Sequence, residues 1–151
     1  MKKKIMENYI FEGFGFPVVL HNVVVGKFEG EEYPELNYQE LEFKTVQSLI
    51  ASPKALTGNQ FKFLRKFMKH SLREIADGIE VSHSQIKNWE EKTKEVTGMD
   101  SDLEKRFKNL TLTYLMSMLQ KSLSDVLMTQ TIKESKEKEP FDPYKVELKY
   151  G

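Results

Sequence analysis

Residues 57–92, TGNQFKFLRKFMKHSLREIADGIEVSHSQIKNWEEK, constrain the fold more than any other stretch of this chain. Thr57 can cap a helix in which Phe61, Leu64 and Met68 recur at spacings of three and four, the single stripe of an amphipathic helix. Ser71 opens a second helix, and Glu74 stands three residues later. That is the spacing of a capping box: the Ser hydroxyl accepts the N3 amide proton, and the Glu carboxylate accepts the amide proton of the Ser. Ile75, Ala76 and Ile79 form the inward side of this helix. Ser82 and Gln85 repeat the box at the start of a third helix, whose buried side is Ile86 and Trp89. Two capped helices about four residues apart make a helix-turn-helix.

These residues carry a resemblance. Ser71, Glu74, Ile75, Ala76, Ile79, Val81, Ser82, Ile86, Trp89 and Glu90 resemble the framework of Xre/Cro, or lambda-repressor-like, domains over about forty residues. The resemblance implies that Ala76 is the small residue where the second and third helices cross, that Val81 plugs the turn, and that Ile86 and Trp89 anchor the recognition helix. It also implies an ion pair between Arg65 and Glu90, with Glu74 as the competing carboxylate. Two positions depart from the pattern. Glu80 stands at the turn where the family usually has Gly; a non-Gly residue at positive φ costs about 1 kcal/mol, so a wider or strained turn is expected. Leu72 stands where the family often places a phosphate-touching Gln, so that contact is absent.

In a helix-turn-helix the second helix enters the major groove of DNA. The outward side of the third helix here is His83, Ser84, Lys87 and Asn88, with Gln85 at its edge. An ordinary solvated face is richer in Glu and Lys. These side chains offer donors and acceptors to base edges, Asn to adenine and Lys to guanine. Ser71, Arg73, Ser82, Lys92 and Lys94 are the candidate phosphate contacts. The plainer alternative is a small helical bundle with no ligand.

The net charge of zero argues against DNA until it is partitioned. Residues 1–4 carry three Lys; residues 5–56 carry three Lys and eight acids; residues 57–97 carry eight bases and six acids; residues 98–151 carry nine of each. The basic excess thus lies on the capped helices and the extreme N-terminus, and phosphate binding needs a local positive face rather than a positive total. An acidic region beside it could bind a basic protein. There is no apolar run of membrane-spanning length. Met1-Lys-Lys-Lys-Ile5 is followed by Glu7 and Asn8 rather than the apolar core of a signal peptide, and cysteine is absent, which together fit a cytoplasmic location. His21, His70 and His83 have no metal-ligand spacing, so neither a metal nor a cofactor is expected.

Outside the central stretch the chain reads as α+β, with an N-terminal β-containing unit over residues 1–55, the DNA-binding unit over 56–97, and a C-terminal helix and tail over 98–151. Residues 1–8 read as a mobile polar start. Gly13-Phe14-Gly15 is a tight turn presenting Phe14 and Phe16 to the core; it lacks the pattern of a phosphate loop. Pro17–Phe28 is β-branched and reads as a strand, turning at Glu29-Gly30-Glu31 into a short edge strand at Glu32–Leu36, limited by Pro34. Asn37 caps a helix with Glu40 at N3 and an apolar face of Leu41, Val46, Leu49 and Ile50, ended by Ser52-Pro53. The linker into Thr57 is too short for a free tether, so the N-terminal unit should pack on the DNA-binding unit.

Ser101–Met128 is the longest helical pattern. Its stripe, which includes Leu110, Leu115, Met118 and Leu119, is wider than a small bundle covers; either the N-terminal unit or a second copy covers the rest, and a dimer contact is the favoured reading because such proteins read two half-sites. Lys133–Glu139 is a charge run. Tyr144–Tyr150 alternates apolar and charged residues, which predicts a strand on the N-terminal sheet, with a loose tail as the alternative.

The expectation is a dimeric, sequence-specific repressor of an inverted-repeat operator in double-stranded DNA. The layout also resembles the HigA- and MqsA-type antitoxins of type II toxin–antitoxin systems, which implies a basic toxin as a further partner; the zinc cysteines of the MqsA type are missing. The rival is a protein-interaction module using the helix-turn-helix as scaffold. No nucleophile–base pair, metal cluster or phosphate loop marks an enzyme.

Overall fold

The computed structural model describes residues 3–129 of the 151-residue chain, with side-chain surroundings as far as Leu123. The expected strand at 144–150 and the charge run before it lie outside the described residues. The elements are β1 (Lys3–Phe11), β2 (Val18–Phe28), β3 (Glu31–Pro34), α1 (Tyr38–Ala51), α2 (Gly58–Phe67), α3 (Leu72–Ile79), α4 (His83–Glu91) and α5 (Ser101–Thr129). The chain is a mixed α+β structure in which an antiparallel sheet, ordered β1-β2-β3, precedes five helices. No described helix is long and apolar enough to cross a membrane.

The polar start is a correction. Residues from Lys3 onward form β1, which pairs with β2 in register from Lys3 opposite Gly26 to Phe11 opposite Val18. Lys3 and Lys4 reach carboxylates of the far strand and the residue after it, at 2.6 Å to Glu35 and 2.6 Å to Glu32. These pairs are exposed and contribute little to stability. They do place the basic start against the acidic segment, so that residues 3–56 carry five Lys against eight acids on one folded unit.

β2 buries Val18 and Leu20, then Val23 and Val25. The inward phase slips by one residue between the two pairs, where Asn22 takes φ 57. Asn tolerates that region better than a β-branched residue does. Met6, Tyr9 and Phe11 on β1 slip in step. Glu29 and Gly30, at φ 50 and 83, join β2 to β3 with the two positive φ values that a type I′ hairpin turn requires. Pro34 sits on the edge strand, where its missing N–H costs no ladder bond.

α1 is capped by Asn37, which accepts from the Glu40 amide at 3.1 Å, and it buries Leu41 and Val46 against the sheet and helical core. The short linker is held rather than free. Glu104 accepts the Leu56 amide proton at 2.6 Å, and Lys108 donates to the Ser52 carbonyl at 2.8 Å.

α2 is the hub. Thr57 and Gln60 close a full capping box at its start. Phe61, Leu64 and Met68 are buried as expected, and Phe63 and Phe67 are buried too. The second pair is needed because α2 meets different neighbours on different sides. Phe61 stacks on Phe107 of α5 at 4.2 Å and meets Trp89 of α4 edge-on. Phe63 meets Phe14 and Phe16 of the turn after β1. Phe67 meets Phe43 of α1 and Tyr114 of α5. Aromatic pairs of this kind add about 0.5–1.5 kcal/mol each beyond their buried area.

Candidate nucleic-acid interface

The unit from α3 to α4 is built on local hydrogen bonds. Ser71 Oγ accepts from the Glu74 amide and Glu74 Oε1 accepts from the Ser71 amide, both at 3.1 Å. Those bonds hold the Glu74 carboxyl below its ordinary range, with His70 adding to the effect. At α4 only half of the expected box forms: Ser82 Oγ accepts from the Gln85 amide at 3.1 Å, and the return bond from the Gln85 side chain is not made. The Gln85 side chain is exposed instead.

Glu80 takes φ 58 and ψ 50, the left-handed conformation that the sequence flagged as strained. The turn is tight, not wider. The Glu80 and Val81 amides both reach the Ala76 carbonyl, the latter at 3.0 Å, which is the wrap of a Schellman-type C-cap. Val81 packs against the core, Ala76 is buried, and Leu72 is partly buried rather than displayed to solvent.

α4 is anchored on one side and bare on the other. Ile86 and Trp89 are buried. Arg65 grips Glu90 with two bonds, Nε to Oε2 at 2.5 Å and Nη2 to Oε1 at 2.9 Å. Its remaining Nη1 donates to the His70 carbonyl at 3.1 Å. The pair is largely shielded, with 14% and 11% side-chain exposure, so the fork between α2 and the end of α4 is partly desolvated. Glu74, the expected competitor, is engaged by Ser71 and by His70 Nδ1 at 3.2 Å.

With that anchor in place, His83, Ser84, Gln85, Lys87 and Asn88 are all exposed on α4. Ser71, Arg73, Ser82, Lys92 and Lys94 are exposed around it. Glu80 and Glu91 are exposed in the same region and dilute its positive charge.

Gly98 and the polar residues over 93–100 mark the end of the recognition helix in the sequence but not the course of the segment that follows it. Residues 92–97 fold back onto the start of α2: the Gly58 amide donates to the Glu95 carbonyl at 3.0 Å, Asn59 to Thr93 at 2.9 Å, and Thr97 to Leu56 at 3.0 Å. Lys92 and Lys94 therefore stand on a pinned loop. The signal for it was Gly58, where a Cβ would lie 2.5 Å from the Trp89 carbonyl oxygen and 2.6 Å from the Thr93 nitrogen. Only glycine lets the two segments approach so closely.

The candidate dimer residues do not share one face. Leu115 is 2% exposed, and Leu110 and Met118 pack against the same core, so these three serve this chain's own interior. Leu119 is exposed. Its exposed companions are Leu112, Met116 (60%) and Leu123 (58%). The stripe is wide because it is two stripes, one folded inward and one bare.

No protein-family model, curated protein or solved structure matches this chain.

Proposed function

We propose that the protein is a sequence-specific DNA-binding regulator, a dimeric repressor that reads an inverted repeat with α4. The observation that carries this reading is the division of α4. Ile86, Trp89 and the Arg65–Glu90 fork fix one side of the helix, and the opposite side presents a continuous set of short polar donors and acceptors. Base readout needs such groups on a rigid element that fits the major groove. Asn88 and Lys87 are the base readers with the best-suited geometry of side chain, with His83, Ser84 and Gln85 beside them. Arg73, Lys92 and Lys94 neutralise phosphates, and the hydroxyls of Ser71 and Ser82 lie at helix starts, where phosphate oxygens are also favoured.

A second copy supplies the second reader. Leu112, Met116, Leu119 and Leu123 on α5 are spaced four, three and four residues apart, the a/d repeat of a coiled-coil seam. Thr113, Gln120 and Ser122 beside that seam are uncharged, so two identical copies meet without like-charge repulsion.

Asn88→Ala should lower affinity for the selected site by about 1–3 kcal/mol while leaving non-specific binding nearly unchanged. Lys92→Ala should weaken binding on every sequence and flatten the slope of log K against log salt by about one unit. Fluorescence anisotropy across a salt series separates the two. Equal behaviour of both variants on specific and random DNA would remove α4 as the reader.

One observation favours the rival reading of a protein-interaction module. The outer face of the sheet carries the cross-strand pairs Ile5–Val24 and Ile10–Val19, with Phe28 and Tyr33 exposed beside them. Such a face suits a protein partner. In the antitoxin form of the DNA-binding reading, that partner is the toxin.

A further inference from the structure

A helix leaves its first N–H groups without an intrahelical partner. In α2 the Gln60 amide is taken by the Thr57 hydroxyl at 3.2 Å, as the capping box requires. The two amides before it go to the loop after α4. Gly58 donates to the Glu95 carbonyl at 3.0 Å and Asn59 to the Thr93 carbonyl at 2.9 Å, so this loop completes the cap of α2. Thr93 holds φ 53, an uncommon conformation for a β-branched residue, so the loop is constrained where it is gripped.

Asn59 also reaches the other way. Its side-chain Nδ2 donates to the Gly15 carbonyl, in the turn after β1, at 2.9 Å. Only the NH₂ of an amide side chain can meet a carbonyl in this way, which makes the side chain a donor here. Among the described residues no hydrogen bond or ion pair joins residues 12–17 directly to residues 92–97. A hollow of about 560 Å³ lies between them, to which the turn contributes Glu12, Phe16 and Pro17 and the loop Thr93 and Lys94. Asn59 stands in its wall and holds both segments.

We infer that Asn59 is a positioning residue that couples the sheet unit to the loop carrying Lys92 and Lys94. Its backbone grips the loop and its side chain grips the turn, so displacement of the turn is felt at the loop and then at its phosphate contacts. That last step rests on the reading of Lys92 and Lys94 as phosphate contacts; the coupling itself does not.

The test is amide hydrogen exchange, followed by NMR on the full chain. The Gly58 and Thr97 amides report the loop, because they bond the Glu95 and Leu56 carbonyls. Asn59→Ala removes the side-chain donor and puts a strong helix former in its place, so α2 itself is not weakened. The Gly58 and Thr97 amides should then exchange about threefold faster or more, as the loss of one ordinary hydrogen bond implies. Asn59→Gln keeps a donor and should restore part of the protection. Gly15→Ala adds a methyl group to open space but strains the turn at φ 95; it should speed the same two amides although it touches neither. In the Asn59→Ala background Gly15→Ala should add nothing there, because the link is already cut. Circular dichroism checks that each variant is folded. Against random-sequence duplex DNA, Asn59→Ala should bind about threefold more weakly than the wild type. The inference is overturned if the loop amides of folded Asn59→Ala exchange as in the wild type, or if Gly15→Ala speeds them equally with and without Asn59. A loosened Asn59→Ala that binds DNA as the wild type does, where Lys94→Ala binds it less, overturns the step from loop to phosphate. A wild type that binds no DNA removes the phosphate reading, and the exchange results still decide the coupling.

Discussion

Glu80 holds the turn between α3 and α4 in the left-handed region, where a side chain is unfavourable by about 1 kcal/mol. Glu80→Gly should therefore stabilise the fold by up to about 1 kcal/mol, offset in part by the greater freedom of glycine in the unfolded chain. Chemical denaturation reads this as a higher midpoint with unchanged slope; a lower midpoint would mean that the Glu80 side chain makes a contact worth more than the strain. Arg65 is the opposite case, a residue whose loss leaves a partner stranded. Arg65→Ala strips Glu90 of both bonds in a site that is only 11% exposed on the Glu90 side, and it frees the His70 carbonyl. The cost should be about 3 kcal/mol, between the limits for surface and buried pairs. An unchanged melting temperature would show that water replaces the fork at no cost. The Arg65–Glu90 pair spans 25 residues and was legible only as what the resemblance implies, whereas Glu80 was legible from the short-range geometry of its turn.

The helices were readable for the same reason. Asn37, Thr57, Ser71 and Ser82 each cap a helix within a few residues of sequence, and all four side chains accept the expected amide. β1 was not readable, because Lys3, Lys4 and Glu7 look like a solvated start until carboxylates from Glu32 and Glu35 lie across the sheet. The slip at Asn22 likewise breaks the period-two pattern that marks a strand. α5 failed differently. Its apolar residues were identified, but which of them turn inward depends on α1, α2 and α3, which are distant in sequence. Near α3 the fit is close: a Cβ on Gly78 would lie 3.4 Å from Leu110 Cδ2. The bare half of α5 makes the test of self-association specific. Met116→Glu and Leu119→Glu should shift sedimentation at tens of micromolar from dimer to monomer while leaving the circular dichroism spectrum intact, since neither side chain is in the core. A wild type that sediments as a monomer under those conditions would remove the second reader.

The molecule as a whole is a hub and its dependants. α2 carries aromatic contacts to the turn after β1, to α1, to α4 and to α5, so the sheet unit and α4 share one core rather than two. That arrangement was only half visible in the chain: the short linker required the units to pack, but nothing local said that α2 would be the surface they share. On the proposed reading, its net charge of zero leaves little long-range attraction for DNA, so binding would come from two modest readers acting together. Selection from a pool of random duplex DNA at moderate salt, with the dimer confirmed, tests this directly. An enriched inverted repeat with half-sites about 10 base pairs apart, or a small multiple of that, is the expected result. A pool that stays random after repeated rounds would contradict it and leave the exposed face of α4 without a role.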